Sequence, residues 1–269
     1  MDKIGFLGGG NMAEALIKGI TAAKLYAAED VFVSDVRPDR LEYMVKQYHV
    51  QPAYRNAALA AVVDTLVLSV KPQNMSEALE SIKDVFKLQT LVISIAAGVK
   101  VAKISAALGE AAIVRVMPNT PALIGEGASA LYANEKARPM LDKAERIFSA
   151  VGKAVVVDDE DLIDSVTAVS GSGPAYYFLL MEEMIKAAGE LGLGEDVAKE
   201  LVLQTAKGAA LLAVEADKRG ERPAELRRKV TSPGGTTEAA LKVFAEGNLG
   251  PTIAAGIRRA RDRSRELSG

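Results

Sequence analysis

The chain alternates strand-like and helix-like segments over its first 160 residues and then turns wholly helical. That order predicts an α/β domain built on a doubly wound parallel sheet, followed by an all-α domain. Short runs rich in Val, Ile and Leu recur in the first part, separated by stretches whose apolar residues stand three and four apart. After about Asp161 no such run returns. Hydrophobic residues make up 49% of the 269, yet aromatics only 5% and there is no Trp. The core is thus left to small aliphatic side chains, which suit helices laid on a parallel sheet.

In chain order, strands are expected at 3–7, 31–34, 65–70, 91–95, 113–117 and 154–157, with a further one at 128–132. Helices are expected between them at 13–23, 37–47, 74–86, 101–108 and 136–151. The second part reads as helices at 174–191, 195–216, 237–246 and 249–267, punctuated by Gly192, Gly194 and the stretch from Gly220 to Pro223. Residues 1–160 then form one domain and 161–269 the other, with the seam near 158–161. The Ala- and Leu-rich helices between Pro174 and Ala216 are apolar on several faces, more than so small a domain can cover, so the chains are expected to dimerise.

Composition excludes several chemistries. With no Cys there is no disulfide, thiolate metal site or Cys nucleophile, and a single histidine, His49 at the end of a polar helix, excludes an imidazole cluster. A net charge of −2 leaves no footprint for nucleic acid. The arginines at 258, 259, 261, 263 and 265 read as a solvated helix end complementing the dipole, or as a subunit contact. No apolar stretch approaches the roughly 18 uncharged residues that span a bilayer, and no leader pattern opens the chain, so a cytoplasmic protein is expected.

The segment from Gly5 to Ala13 fits G-x-G-x-x-A, with Gly8, Gly10 and Ala13 at the key places, directly after a strand and opening a helix. That context suits a dinucleotide: a tight turn at Gly8, backbone approach at Gly10, close helix–strand packing at Ala13 and helix N–H groups for the pyrophosphate. Asp35 ends the second strand, 27 residues beyond Gly8, where a carboxylate binds the adenosine ribose and favours NADH. Ser34 and Arg37 beside it suit the 2′-phosphate of NADPH; the sequence leaves that choice open. Two further strand ends, Ser69-Val70-Lys71-Pro72 and Ser94-Ile95-Ala96-Ala97-Gly98, lie where open α/β sheets bind ligands.

Two more motifs stand apart. Met117-Pro118-Asn119-Thr120-Pro121 is a stiffened turn presenting Asn119 and Thr120. Ser232-Pro233-Gly234-Gly235-Thr236-Thr237 opens a helix, where converging N–H groups make a seat for a carboxylate. Together with Phe6 to Met12, Val70-Lys71-Pro72, Ala96-Ala97-Gly98-Val99 and Ser170-Gly171-Ser172-Gly173-Pro174-Ala175-Tyr176, these make the chain resemble pyrroline-5-carboxylate reductases over essentially its whole length.

The resemblance implies an N-terminal Rossmann domain and a helical C-terminal domain interlocking in a homodimer, built into larger rings such as decamers. It implies NADPH or NADH as donor and proline as product. By resemblance the cofactor contacts are Phe6, Leu7, Gly8, Gly9, Gly10, Asn11, Ser34, Asn56, Ser69, Val70, Lys71, Pro72, Ile95, Ala96 and Ala97, and the substrate contacts Gly235, Thr236 and Thr237, with Ser232 opening that loop. Asp35 departs from the small or hydroxyl residue that many members carry. A protonated cyclic imine already accepts hydride readily, so orientation, a closed site and one hydrogen bond to the ring nitrogen suffice, a role that falls to the Thr237 hydroxyl. Two other readings remain: a 3-hydroxyacid dehydrogenase-like oxidoreductase, against which Tyr177 stands where that family's catalytic lysine would be, and a non-catalytic NAD(P)-binding sensor.

Overall fold

The computed structural model describes residues 2–268. Its first half runs β1 (Ile4–Leu7), α1 (Asn11–Ala22), β2 (Val31–Ser34), α2 (Pro38–Tyr48), β3 (Gln51–Pro52), α3 (Asn56–Ala60), β4 (Thr65–Leu68), α4 (Met75–Glu80), β5 (Leu91–Ser94) and α5 (Val101–Leu108). Then follow β6 (Ala112–Met117), β7 (Gly127–Ala133), α6 (Leu141–Ser149), β8 (Gly152–Val156) and α7 (Leu162–Val166), which continues into a π-helical turn at Thr167–Gly171. The remainder is α8 (Gly173–Glu190), α9 (Glu195–Asp217), α10 (Pro223–Lys229), α11 (Thr236–Glu246) and α12 (Leu249–Ser268).

The eight strands form one sheet in the order β3-β2-β1-β4-β5-β6-β7-β8, with the reversal between β1 and β4 that defines a doubly wound sheet. Strands β1, β4 and β5 are buried along their whole length because helices cover both faces, which is why their sequences run apolar without alternation. Leu16, Ile17 and Ile20 of α1 join Ile4, Phe6, Val33 and Phe148 on one face, while Leu59, Met75, Leu79 and Ile104 join Leu7, Leu66, Leu68 and Ile113 on the other. One strand departs from the parallel sheet expected: β7 runs antiparallel to β6. Only the short connection 118–126, half of it a 3-10 turn at Thr120–Ile124, joins them, and a parallel return needs a crossover of about a dozen residues or more.

Two compact units emerge, one of residues up to Pro174 together with those from Arg259 on, the other Ala175–Arg258. The turn to all-helical sequence near Asp161 and the division between units thus lie at different places. Ile163, Asp164 and Ala168 are buried within the first unit, and Ser264 of the final helix hydrogen-bonds Asp164 there at 2.6 Å. Within the second unit, only Ala198, Val202 and Ala216 are buried among the described residues.

Candidate functional site: a glycine loop at the sheet's switch point and a helix entry

At the carboxyl end of β1 the chain turns at Gly8, whose φ of +98° lies where an L side chain is strained. A Cβ there would stand 2.8 Å from the Ser69 carbonyl, so strain and close approach both demand glycine. The Gly8 N–H donates to the Ser34 carbonyl at 2.8 Å, and the Ser69 hydroxyl donates to the carbonyls of Leu7 and Gly8 at 3.0 and 2.8 Å. These bonds tie together the loops after β1, β2 and β4. Phe6 and Leu7 are fully buried, their main chain paired with β2 and β4, so they shape the loop from behind and do not face a ligand, while Asn11 is exposed.

Gly10 differs from Gly8. It precedes the first turn of α1, its φ of −65° suits any residue, and a Cβ on it would meet nothing within 4 Å. Nothing in the protein's own packing requires glycine there, whereas a ligand seated against the backbone does. The first N–H groups of α1 have no intrahelical acceptor, and the helix dipole adds partial positive charge at that end. This donor set fits a dinucleotide pyrophosphate.

At the adenosine end, buried Ser34 donates its hydroxyl to Asn56 Oδ1 at 2.9 Å, and Asn56 Nδ2 donates to Ser81 Oγ at 3.0 Å. Asp35 accepts the Gly9 N–H at 2.8 Å on one oxygen and the Arg37 N–H at 2.9 Å on the other, with Arg37 Nε 3.6 Å away and largely exposed. Asn56 thus joins Ser34, Asp35 and Arg37, expected together, around one strand end.

Sequence reasoning missed a cluster behind the loop. Arg40 of α2 donates Nε to the Gly9 carbonyl and Nη2 to Glu14 of α1, both at 2.5 Å, and Glu14 also accepts the Tyr48 and Tyr43 hydroxyls at 2.7 and 3.0 Å. Burial works to raise the Glu14 carboxyl, but the bonds from Arg40, Tyr48 and Tyr43 outweigh it and hold the group below its usual 4.5. Burial, and then the Glu14 carboxylate, push the Tyr48 phenol up. Arg40 and Glu14 lie on two helices whose sequences read as ordinary amphipathic surface, so no local signal marked them.

On the other side of the switch point, Val70 is half-buried, Lys71 exposed, and Pro72 opens a 3-10 turn. Ile95 donates its N–H to the Leu68 carbonyl at 3.2 Å, Ala96 is buried and Ala97 exposed. A Cβ on Gly98 would lie 3.2 Å from the Leu267 carbonyl, so the last turn of α12 closes on this loop. Deeper lies a second missed group. Arg115 on β6, 1% exposed, donates to Glu160 at 3.0 Å and stands 4.0 Å from Asp164. Glu160 also accepts the Val101 N–H at the start of α5. Asn119 is turned inward, bridging the Ala128 N–H and the Ser170 carbonyl rather than facing solvent with Thr120. Of the tail arginines, Arg259 and Arg263 pair with Glu266 and Arg261 with Asp262.

The second unit holds the Ser232–Thr237 motif. Gly235 precedes α11 with no side-chain cap, its own N–H taken by the Ser232 carbonyl at 2.9 Å. Glu238 accepts the Gly234 N–H at 2.7 Å, and the Ala239 N–H returns to the Gly235 carbonyl at 3.1 Å. The first-turn donors that remain are those of Thr236, Thr237 and Glu238. Thr237 sits one residue inside the helix, so its hydroxyl does not cap it.

A glycine loop at the switch point of a doubly wound sheet, opening a helix, defines a dinucleotide-binding protein. Residues 160–267 match the family described as pyrroline-5-carboxylate reductase dimerisation, and residues 3–98 that described as NADP oxidoreductase, coenzyme F420-dependent. The chain is 44% identical to the pyrroline-5-carboxylate reductase of Pseudomonas aeruginosa over 99% of this chain and 97% of that protein. Among solved structures it resembles a pyrroline-5-carboxylate reductase from Coxiella burnetii (TM-score 0.93, 40% identity, 100% and 99% of the two chains). It also resembles pyrroline carboxylate reductase of Plasmodium falciparum with NADP bound (TM-score 0.88, 31% identity, 100% and 98%). The chain belongs to the pyrroline-5-carboxylate reductase family. Its likeness to a 3-hydroxyisobutyrate dehydrogenase from Salmonella typhimurium, at 16% identity, is one of fold alone.

Proposed function

We propose that the chain reduces the ring C=N of 1-pyrroline-5-carboxylate to L-proline, closing proline biosynthesis, with NADPH or NADH as donor. What carries this is full-length family membership, combined with a loop open at Gly10 in one unit and an uncapped helix entry at Gly235 in the other. When bound, the reduced nicotinamide supplies a hydride; the rest falls to the chain. The Phe6–Asn11 loop holds the diphosphate through the N–H groups of Gly10 and Asn11, which no protein group among the described residues takes. Ser34, Asp35, Arg37 and Asn56 hold the adenosine end, and Ser69 to Pro72 with Ile95 to Ala97 the nicotinamide half. The entry from Ser232 to Thr237 holds the substrate carboxylate. The Thr237 hydroxyl meets the ring nitrogen. That nitrogen takes a proton from water, directly or relayed through Thr237, which regains its own from the water, and the neighbouring carbon of the resulting iminium then gains the hydride. Residues 1–160 serve as the dinucleotide domain and 161–269 as the substrate and dimerisation domain. An assay of pyrroline-5-carboxylate with NADH and NADPH in parallel tests the reading; oxidation of neither would overturn it.

Cofactor choice follows from the second strand end. A 2′-phosphate about 4 Å from Asp35 would be repelled by a few kcal/mol at an effective dielectric of about 20. Asp35→Ser is expected to lower the KM for NADPH relative to that for NADH. An unchanged ratio would put the 2′-phosphate elsewhere.

The working form is a homodimer in the cytoplasm, extended by further copies into a ring such as a decamer. Supporting it is the surface of the second unit, where Tyr177 and Phe178 are 66% and 60% exposed and Leu180, Leu201 and Leu212 are exposed with them. So many exposed large apolar side chains on the helices of one unit support an interface there. No helix among the described residues is long and apolar enough to cross a membrane. Sedimentation at micromolar concentration is expected to show dimers or their multiples; a stable, active 28.4 kDa species would refute this.

A further inference from the structure

We infer that Arg40 is a positioning residue for the dinucleotide, acting through the peptide group between Gly9 and Gly10 to aim the Gly10 N–H at the diphosphate. The inference rests on the dinucleotide reading of the Gly8–Ala13 loop. In a trans peptide the C=O and the N–H point in opposite directions, and the described chain has no cis bond. Arg40 Nε holds the Gly9 carbonyl toward α2, so the Gly10 N–H of the same peptide points away from α2. No protein group among the described residues accepts that N–H, and the space beside Gly10 is open to 4 Å. The neighbouring peptide is fixed as well, since the Gly9 N–H donates to Asp35 and is withdrawn from any ligand. Asp35 and Arg40 thus grip Gly9 by its two polar groups, and the donor left free is that of Gly10.

The guanidinium also polarises the carbonyl it binds, which strengthens the N–H at the other end of the peptide. Arg40 is in turn held by Glu14, with Tyr43 and Tyr48 on the same carboxylate, so its planar fork spans a backbone carbonyl and a side chain on two different elements. Arg40 makes no demand on what lies beyond the ribose, because the peptide it sets serves the diphosphate common to NADH and NADPH.

The test uses the full-length enzyme and Arg40→Met, Arg40→Lys and Glu14→Gln, with binding followed by the fluorescence of the reduced dinucleotide, which no Trp obscures. Arg40→Met is expected to weaken NADH and NADPH alike, by about tenfold, the loss of one charge-assisted hydrogen bond. The KM for the pyrroline substrate is expected to move little. Arg40→Lys should recover only part of the affinity, since a point charge reaches the Gly9 carbonyl or Glu14 but not both, and Glu14→Gln should fall between. Weakening of NADPH alone would make Arg40 a 2′-phosphate ligand and overturn the inference, as would unchanged affinity for both. A proportional rise in the substrate KM would point to general loosening and overturn it too. If the unaltered enzyme binds neither dinucleotide, the functional reading itself fails, a result distinct from any of these.

Discussion

Replacing Arg115 by Met is expected to lower stability by about 3 kcal/mol, at the low end of the cost of stripping one partner from a buried ion pair. Arg115 is 1% exposed and sits between Glu160 and the buried Asp164, so its removal leaves negative charge facing the interior of β6. Glu160 reaches some solvent, which tempers the loss. The group does more than pack. Glu160 caps the Val101 N–H of α5, Asp164 accepts the Ser264 hydroxyl, and the turn beyond Ser264 closes on Gly98, next to the Ile95–Ala97 segment. Denaturant midpoints at one protein concentration would measure the effect, since assembly makes stability concentration-dependent. Adding Glu160→Gln and Asp164→Asn to Arg115→Met should restore more than half of the loss, because unpaired charge outweighs missing volume. If the triple variant is as unstable as the single one, packing and not charge is what Arg115 supplies.

What the sequence made legible was whatever depends on local pattern. The strand at Val31–Ser34 and the helix at Val101–Leu108 fall where periodicity put them, and the glycine loop was readable because strand, turn and helix follow one another within ten residues. The short elements escaped: β3 has two residues, one of them Pro52, and α3, α7 and α10 span only five to seven residues each, too few for a helical period to register. The helix expected at 74–86 keeps its regular turns only at Met75–Glu80, giving way to turns before β5. The Arg115 group was invisible for another reason. Its members lie 45 and 100 residues apart, and a lone arginine in a strand gives no sign of its partners until the sheet is assembled. Arg40 is the same case on a smaller scale, 31 residues from the glycine it holds.

Thr237→Val is expected to cut the turnover number roughly ten- to hundredfold, the equivalent of about 1–3 kcal/mol for one hydrogen bond to the reacting centre. Valine keeps the shape and the β-branching, so α11 should form as before. The hydroxyl does not serve as the helix cap, because Gly235 holds that position with no side-chain bond, and a fall in rate therefore cannot be assigned to a lost cap. The chain offers few rivals for the role: it has no Cys, and its one histidine, His49, closes α2 in a left-handed conformation on the surface. An imine nitrogen needs one hydrogen-bonding partner as it gains its proton, and a neutral hydroxyl provides that without adding charge beside a cationic ring. Dinucleotide affinity by fluorescence should stay near that of the unaltered enzyme, since Thr237 is not among the residues proposed to hold the dinucleotide. Thr237→Ser should recover most of the rate by returning the hydroxyl. Normal turnover in Thr237→Val would leave a water as the partner of the nitrogen, whereas a loss confined to the substrate KM would make Thr237 a carboxylate ligand acting through its N–H neighbourhood and not at the ring.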